Sequence, residues 1–175
     1  MNSRSLTDEE LMQRVQAGDA ASYQALFDRH NRAVYGFLLR SAGRPEHAAE
    51  LFQETWLKVH RARQTWDSRQ RFRPWLFGIA ANTRRDAARR AGRQLPTVEL
   101  LESPAPRARP EDHITLERAI ADLPDPLREA FLLGAVHGFD HNEVAEQLGI
   151  SPDNARARIS RARATLRRAL GGEEP

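Results

Sequence analysis

A proline-rich stretch divides this sequence into two parts, and it limits the possible folds more than any other feature. Residues 95–110 contain four prolines and show no helical period. Proline lacks a backbone donor and fixes φ, so such a stretch is typical of an extended connection rather than of a packed core. We therefore predict a first domain over residues 1–94, a linker over 95–112 and a second domain over 113–175.

Apolar residues on both sides of the linker recur at helical spacing, and no segment alternates as a half-buried strand does. Thr7 and Glu10 have the spacing of a capping box, which predicts the start of the first helix. The predicted fold class is all-α, with two small helical domains joined by a Pro-rich linker and a four-helix second domain. Further helix boundaries in the first domain are marked by Gly18-Asp19, Gly43, Pro45 and Pro74, with a loop over residues 66–70.

The second domain contains the pattern of a helix-turn-helix over residues 141–152. Gly149 permits a tight turn after a short helix. Ser151 is a good N-cap, and Pro152 suits the first turn of the helix that follows. We therefore predict a recognition helix that begins here and continues to about Leu170.

One face of the predicted recognition helix is apolar and the other is basic. Six Arg and one Asp lie between Ser151 and Leu170, whereas residues 113–150 carry two Arg and seven acids. A similar cluster, five Arg and one Asp, lies between Arg84 and Arg93. Since the formal net charge of the chain is only +3, such local clusters favour a nucleic-acid-binding surface over a solvated face of mixed sign. The apolar stripe comprises Ala155, Ile159, Ala162, Leu166 and Ala169.

The basic face of this helix supplies candidate DNA contacts. Arginine can hold guanine O6 and N7 together and can also clamp a phosphate. For any single arginine, a salt bridge to the preceding acidic helices is the alternative interpretation. We expect base-edge contacts from Asn154, Arg156, Ala157, Ser160 and Arg161; Arg158 completes the DNA-facing set, and Arg163, Arg167 and Arg168 are candidates for phosphate contacts.

What the sequence lacks excludes several classes of function. There is no Cys for a disulfide or a thiolate metal site, and the six His are scattered. The chain has no Gly-rich nucleotide loop, no recognisable catalytic pair and no signal peptide, and no apolar run approaches the roughly 20 residues that span a bilayer. We therefore expect a soluble cytoplasmic protein that is not an enzyme, binds no metal or other cofactor and does not insert into membranes.

Two sets of motifs, in this order, resemble the extracytoplasmic-function (ECF) subfamily of bacterial RNA polymerase sigma factors, a branch of the sigma-70 family. The resemblance extends from about Thr7 to Leu170. In the first domain it is carried by the runs 49–56 and 72–82, and in the second by Leu123-Pro124, Gly138, Glu143-Val144-Ala145, Leu148-Gly149-Ile150 and the run 156–163.

The resemblance implies an alternative sigma factor that binds core RNA polymerase, recognises and melts a promoter, and so directs transcription initiation. The partners it implies are the clamp helices of the largest polymerase subunit, the flap of the second largest, promoter DNA and an anti-sigma factor. The helix that carries residues 50–54 would dock on the clamp helices, although a solvated face would also explain its polar residues. The residues implied are Glu50, Leu51, Phe52, Gln53 and Glu54.

In this family the loop and the helix after it open the minus-ten promoter element. A captured base needs a stacking surface, a polar group to read it and positive charge for the strand. We expect Trp66 to stack or to form a pocket wall and Asn82 to make the polar base contact unless it caps a helix. Trp75 is expected in the core, and Phe72 lies either in the core or among the DNA contacts. The full minus-ten set is Trp66, Asp67, Ser68, Arg69, Phe72, Asn82, Arg85 and Arg89.

Two other functions stay open at this point. A stand-alone helix-turn-helix repressor would bind a palindromic operator as a dimer, but it leaves the first domain unexplained. A sigma mimic that titrates an anti-sigma factor would have no need of intact arginine faces.

Overall fold

A computed structural model of the chain describes residues 6–94 and 115–171. The predicted linker, 95–112, lies outside these residues. Within them all regular secondary structure is helical, as predicted. The chain divides into two compact units, Met1–Arg84 and Arg85–Pro175, so the boundary between the units falls inside a helix. The predicted domain limits at 94 and 113 stay predictions.

The first unit contains four helices: α1 (Asp8–Gln16), α2 (Ala20–Ala42), α3 (Pro45–Ala62) and α4 (Phe72–Gln94), the last of which continues into the second unit. A short 3-10 turn, Arg63–Thr65, follows α3. The predicted capping box is present, since the Thr7 hydroxyl accepts from the Glu10 N–H at 3.2 Å and the Glu10 carboxylate accepts from the Thr7 N–H at 2.7 Å. Gly43 ends α2 with φ of 72°, in the left-handed region that glycine adopts without strain.

The core of the first unit forms where the apolar stripes of these helices meet. α1 buries Leu11, Met12 and Val15. Phe37 of α2 and Phe77 of α4 are fully buried, with ring centroids 5.6 Å apart. Burying a side chain of this size stabilises the fold by roughly 1.5–3 kcal/mol, so the contact between the two rings helps to fix α4 against α2.

The second unit contains a set of short helices and one long one. These are α5 (Leu116–Ala121), α6 (Asp125–Phe131), α7 (His141–Leu148) and α8 (Pro152–Ala169). α6 continues into a π-helical turn, Leu132–Val136. The four-helix organisation predicted for this part is therefore confirmed, and the π turn was not predicted.

Gly134, in the π turn, allows α8 to pack closely. A Cβ atom at this position would lie 2.5 Å from Cδ1 of Ile159, whose side chain is 3 % exposed. Real carbon atoms pack at about 3.5–4.0 Å, so only glycine leaves room for Ile159 in its observed rotamer. The π turn thus helps to set the position of α8 against the rest of the second unit.

Arg128, on α6, holds the end of α5. Its guanidinium donates to the carbonyl oxygens of Ile120 (3.2 Å), Ala121 (2.8 Å) and Leu123 (2.7 Å). It also forms an ion pair with Asp125 at 3.1 Å. The last carbonyls of a helix have no partner within the helix, and here one side chain satisfies several of them.

Candidate nucleic-acid interface

The helix-turn-helix forms as predicted, because each of its local signals is satisfied. Gly149 ends α7 with φ of 65°, and the Ile150 N–H donates to the Ala145 carbonyl at 3.0 Å, as in a Schellman motif. The Ser151 hydroxyl accepts from the Asn154 N–H at 3.2 Å, and Pro152 occupies the first turn of α8. The short turn fixes where α8 begins.

α8 presents one buried stripe and one basic face. Ala155, Ile159, Ala162 and Leu166 are buried as predicted, but Ala169 is exposed. Ala169 ends α8, so the prediction that it extends the buried stripe is wrong. Of the predicted base-edge set, Asn154, Arg156, Ser160 and Arg161 are exposed and Ala157 is half-buried; Arg158 is also half-buried, and Arg163, Arg167 and Arg168 are exposed.

Side chains in the first turns of α8 are already paired with each other. The Arg158 Nε donates to the Asn154 Oδ1 at 3.1 Å, and Arg156 forms an ion pair with Asp153 at 3.0 Å. Both members of the latter pair are mostly exposed, so their attraction is screened by water and weak. A nucleic acid could therefore take over these donors at small cost.

In the first unit, residues 67–71 form a tight loop between the 3-10 turn and α4. The Gln70 N–H donates to the Asp67 carbonyl at 2.9 Å, which closes a β-turn. The Asp67 carboxylate accepts from the Arg69 backbone N–H at 2.9 Å and from its guanidinium at 2.6–3.1 Å. These hydrogen bonds from Arg69 lower the pKa of Asp67 below 3.8. Ser68 and Arg69 stand at the exposed tip.

Trp66 and Phe72 flank this loop, and both are buried. Their side chains are 3 % and 0 % exposed. A base cannot stack on a ring that has no accessible face, so in this structure Trp66 does not offer the stacking surface that was one of its two predicted roles, and Phe72 lies in the core, which the sequence left open. Trp75 was expected in the core but is only half-buried; its ring lies 5.9 Å from that of the buried Phe72.

α4 carries the remaining predicted minus-ten residues. Asn82 and Arg89 are exposed, and Arg85 is half-buried. Arg89 forms an ion pair with Asp86, one turn away on the same helix. Asn82 lies in the interior of α4, far from either end, so helix capping does not account for it.

The helix predicted to contact the polymerase, α3, is amphipathic. Glu50 and Gln53 are exposed, and Glu54 forms an ion pair with Lys58 at 3.2 Å. Leu51, also in the predicted polymerase-binding set, is 2 % exposed and belongs to the core of its own unit, so its side chain offers no accessible surface to a partner in this structure. Phe52 is half-buried at the edge of that core.

Phe52 lines a groove that the sequence reasoning did not identify. The groove has a volume of about 460 Å³ and lies between α2 and α3. The rings of Phe27 and Tyr35 lie 5.9 and 5.8 Å from that of Phe52. The spacing of eight residues between Phe27 and Tyr35 could have indicated a second aromatic stripe on α2.

A larger groove, of about 770 Å³, runs along α8 in the second unit. Its lining includes the apolar side chains of Phe131, Ile159 and Leu166 and the basic side chains of Arg156 and Arg163. Neither Phe131 nor His141, which also lines the groove, was predicted as a site residue.

The described residues contain neither a candidate metal site nor a candidate membrane-spanning helix. No cluster of three or more His, Asp or Glu that could hold a metal ion occurs between residues 6 and 94 or 115 and 171. In the same ranges no helix is long and apolar enough to cross a membrane.

Comparison with known proteins accounts for both units. Residues 26–94 match Sigma-70 region 2, and residues 113–166 match Sigma-70 region 4. The RNA polymerase sigma factor CarQ of Myxococcus xanthus is 37 % identical, over 91 % of this chain and 95 % of the relative. The ECF RNA polymerase sigma factor SigM of Mycobacterium tuberculosis is 31 % identical, over 94 % of this chain and 85 % of the relative.

A solved structure agrees with this result. The structure of CnrH in complex with the cytosolic domain of CnrY matches with a TM-score of 0.70 at 26 % identity, and the match covers 95 % of this chain and 99 % of that one. The chain therefore belongs to the ECF subfamily of RNA polymerase sigma factors, within the sigma-70 family. It is an alternative sigma factor, which binds core RNA polymerase and directs it to promoters.

Proposed function

We propose that this sigma factor holds upstream duplex DNA with α8 and captures one strand of the minus-ten element with the loop 67–71 and α4. The observation that carries the first part is the exposed face of α8, where Asn154, Arg156, Ser160 and Arg161 lie away from the buried stripe. A helix of 18 residues, at about 1.5 Å per residue, is about 27 Å long. It can therefore reach base edges near its start and backbone phosphates further along.

Arg161 is the leading base-reading candidate of α8. It is exposed in the third turn, next to Ser160 and four residues before Thr165. Its planar guanidinium could donate to O6 and N7, the two acceptors that a guanine presents in the major groove. Asn154 and Arg158, which are hydrogen-bonded to each other in the free chain, would have to exchange that bond for contacts with DNA.

The proposed minus-ten site consists of the exposed tip of the loop 67–71 and residues of α4. Ser68 and Arg69 offer a hydroxyl and a guanidinium, and Asn82 offers an amide that can read a base edge. Arg85 and Arg89 follow on the same helix and are the proposed sources of positive charge; in the free chain the Arg85 guanidinium donates to the carbonyl oxygens of Gln147 (2.7 Å) and Leu148 (3.2 Å), and Arg89 pairs with Asp86. Trp66 and Phe72 contribute as the buried supports of the loop rather than as stacking surfaces.

The polymerase contact proposed for the first unit uses the exposed residues of α3 together with the neighbouring groove. Glu50 and Gln53 supply polar contacts, and Phe52 supplies an apolar one at the groove wall. The interaction with the clamp helices would then leave Leu51 in the core. The flap of the second largest polymerase subunit is the partner proposed for the second unit.

We further propose that an anti-sigma factor regulates the chain, since the related CnrH was solved with another protein bound to it. The chain itself would carry out no catalysis, because phosphodiester chemistry belongs to the polymerase. Its place of action would be the cytoplasm, where core polymerase and chromosomal DNA are found.

The test combines the purified chain with bacterial core RNA polymerase and measures run-off transcription from a promoter library. We expect Arg161→Ala to reduce transcription from the selected promoters about tenfold, since a bidentate base contact is worth about 1–3 kcal/mol. The control is Arg118→Ala, which removes the same charge from an exposed position on α5. Equal losses in both variants would refute base reading by Arg161.

For the minus-ten site, Asn82→Ala should reduce transcription from duplex templates and leave binding to polymerase unchanged; a loss of polymerase binding would contradict the assignment.

A further inference from the structure

Helix α1 contacts both ends of the loop that we assign to the minus-ten element. The side-chain amide of Gln16 donates to the carbonyl oxygens of Arg63 and Trp66, each at 2.9 Å. At the other end of the loop, the carboxylate of Glu9 accepts from the backbone N–H of Phe72 at 3.0 Å. α1 precedes residues 26–94, the part of the first unit that matches Sigma-70 region 2.

The contacts of Gln16 leave its amide little freedom. A glutamine NH₂ group has two hydrogens, and here each carbonyl can take one. In return, the Gln64 amide donates to the Gln16 backbone carbonyl at 3.0 Å. Residues 63–66, just before the loop, thus both accept hydrogen bonds from Gln16 in the last turn of α1 and donate one to it.

The contact of Glu9 replaces a helix cap. α4 begins at Phe72, and the first N–H groups of a helix have no partner within it. Glu9 supplies the acceptor for the first of them from a different helix, and its negative charge lies at the positive end of α4. The end of the loop is therefore fixed by a residue 63 positions earlier in the chain.

α1 is itself firmly held, so it can act as a support. Leu11 and Met12 are fully buried in the core. The Asp8 carboxylate forms an ion pair with Arg29 at 2.6 Å and lies 2.7 Å from Nε2 of His30, both on α2. By contrast, residues 67–71 between the two attachment points are held by the local turn around Asp67.

We propose that Gln16 and Glu9 are positioning residues for the minus-ten loop. By fixing the Trp66 carbonyl just before the loop and the Phe72 N–H just after it, they hold the loop tip in the shape that accepts a DNA base before the DNA arrives. This inference rests on the proposed function of the loop. Neither residue needs to touch DNA, and their effect should appear in strand capture, not in polymerase binding.

The decisive variant is Gln16→Glu, which keeps the size of the side chain but replaces a donor with an acceptor. The matched control is Gln13→Glu, which adds the same charge at an exposed position of the same helix. The probe is a single-stranded DNA library randomised at six positions, from which wild-type holoenzyme selects its preferred strand. We expect Gln16→Glu to bind that strand about tenfold more weakly, or about 1.4 kcal/mol, and Gln13→Glu to bind within about twofold of wild type.

A second pair of variants tests the other end of the loop. Glu9→Gln keeps an oxygen that can accept from the Phe72 N–H, whereas Glu9→Met does not. We expect Glu9→Gln to retain most of the strand binding and Glu9→Met to lose it. Binding to core polymerase and to duplex upstream DNA should be unchanged in both, which a general loss of structure would not allow.

Amide hydrogen exchange of the free chain distinguishes failure of this inference from failure of the proposed site. Faster exchange over residues 66–72 in Gln16→Glu and Gln16→Met, with Gln13→Glu like wild type, supports the positioning role. Unchanged exchange or unchanged strand binding in both Gln16 variants overturns it. If wild-type holoenzyme selects no strand at all, the minus-ten assignment fails, and this inference fails with it.

Discussion

The contact between Gly134 and Ile159 allows a prediction in which two opposing effects can be separated. Replacing Gly134 with Ala should stabilise the helix by up to about 1 kcal/mol, because alanine loses less backbone entropy on folding. However, the new Cβ would lie 2.5 Å from Cδ1 and 3.3 Å from Cγ1 of Ile159. Because Ile159 is buried, its side chain has little room to rotate, and overpacking of this kind costs about 1–3 kcal/mol. We expect Gly134→Ala to destabilise the second unit by about 1 kcal/mol.

Ile159→Val removes Cδ1 and so removes the closest contact. By itself it should cost about 0.5–1.5 kcal/mol. In that background Gly134→Ala should become neutral or stabilising, which gives a coupling energy of about 1–2 kcal/mol in a double-mutant cycle.

The assay can distinguish the two units because all three tryptophans, Trp56, Trp66 and Trp75, lie in the first. Thermal unfolding followed by far-UV circular dichroism reports on both units, whereas tryptophan fluorescence reports on the first alone. We expect a loss of about 4–8 °C in the transition of the second unit and an unchanged fluorescence transition. Additive effects of the two substitutions would refute the steric reasoning.

Three further predictions concern stability. Gly149→Ala should destabilise the second unit by about 1–2 kcal/mol in a circular dichroism melt, since a side chain is strained at a φ of 65°; no change would argue against the strain. Arg128→Lys should cost about 1–3 kcal/mol in the same melt, because one ammonium group cannot reach the carbonyls that the guanidinium holds, and a neutral result would contradict this. Burial raises the pKa of Asp8, but the hydrogen bonds and charges of His30 and Arg29 outweigh burial and lower it below 3.8. Ionised Asp8 should therefore stabilise the first unit above pH 3.8, and this stabilisation should be lost as the pH falls through its lower folded pKa. In urea unfolding followed by fluorescence, the free energy of unfolding of Asp8→Asn should be about 1–3 kcal/mol below that of wild type at pH 7, and the difference should shrink in acid. A difference that stays constant with pH would refute the linkage.

Helix boundaries could be predicted from the sequence because they depend on a few neighbouring residues. The hydroxyl of Thr7 meets an N–H three residues away, and the cap at Gly149 involves the residues next to it. The recognition helix was also predictable, because Ser151 and Pro152 fix its start and the stripe through Ile159 fixes its buried face.

Burial was harder to predict, since it depends on contacts between distant parts of the chain. Trp66 stands at the edge of a polar loop, which suggests an accessible ring, yet its carbonyl binds Gln16, 50 residues earlier, and its indole lies in the core. Leu51 and Phe52 are adjacent, and only the packing of α3 on α2 shows which of them faces inward. The groove beside Phe52 likewise requires two helices to be placed side by side.

The bond between Asp67 and Arg69 has a consequence for how selective the loop can be. The carboxylate is an internal counter-ion, so a phosphate that engages Arg69 must first displace it. Because a phosphate would only replace the Asp67 carboxylate beside Arg69, this contact would add little binding free energy for a strand of arbitrary sequence. In the proposed site, a strand whose bases also fit the tip would gain those contacts in addition, so the preference for the correct sequence over bulk chromosomal DNA would be larger.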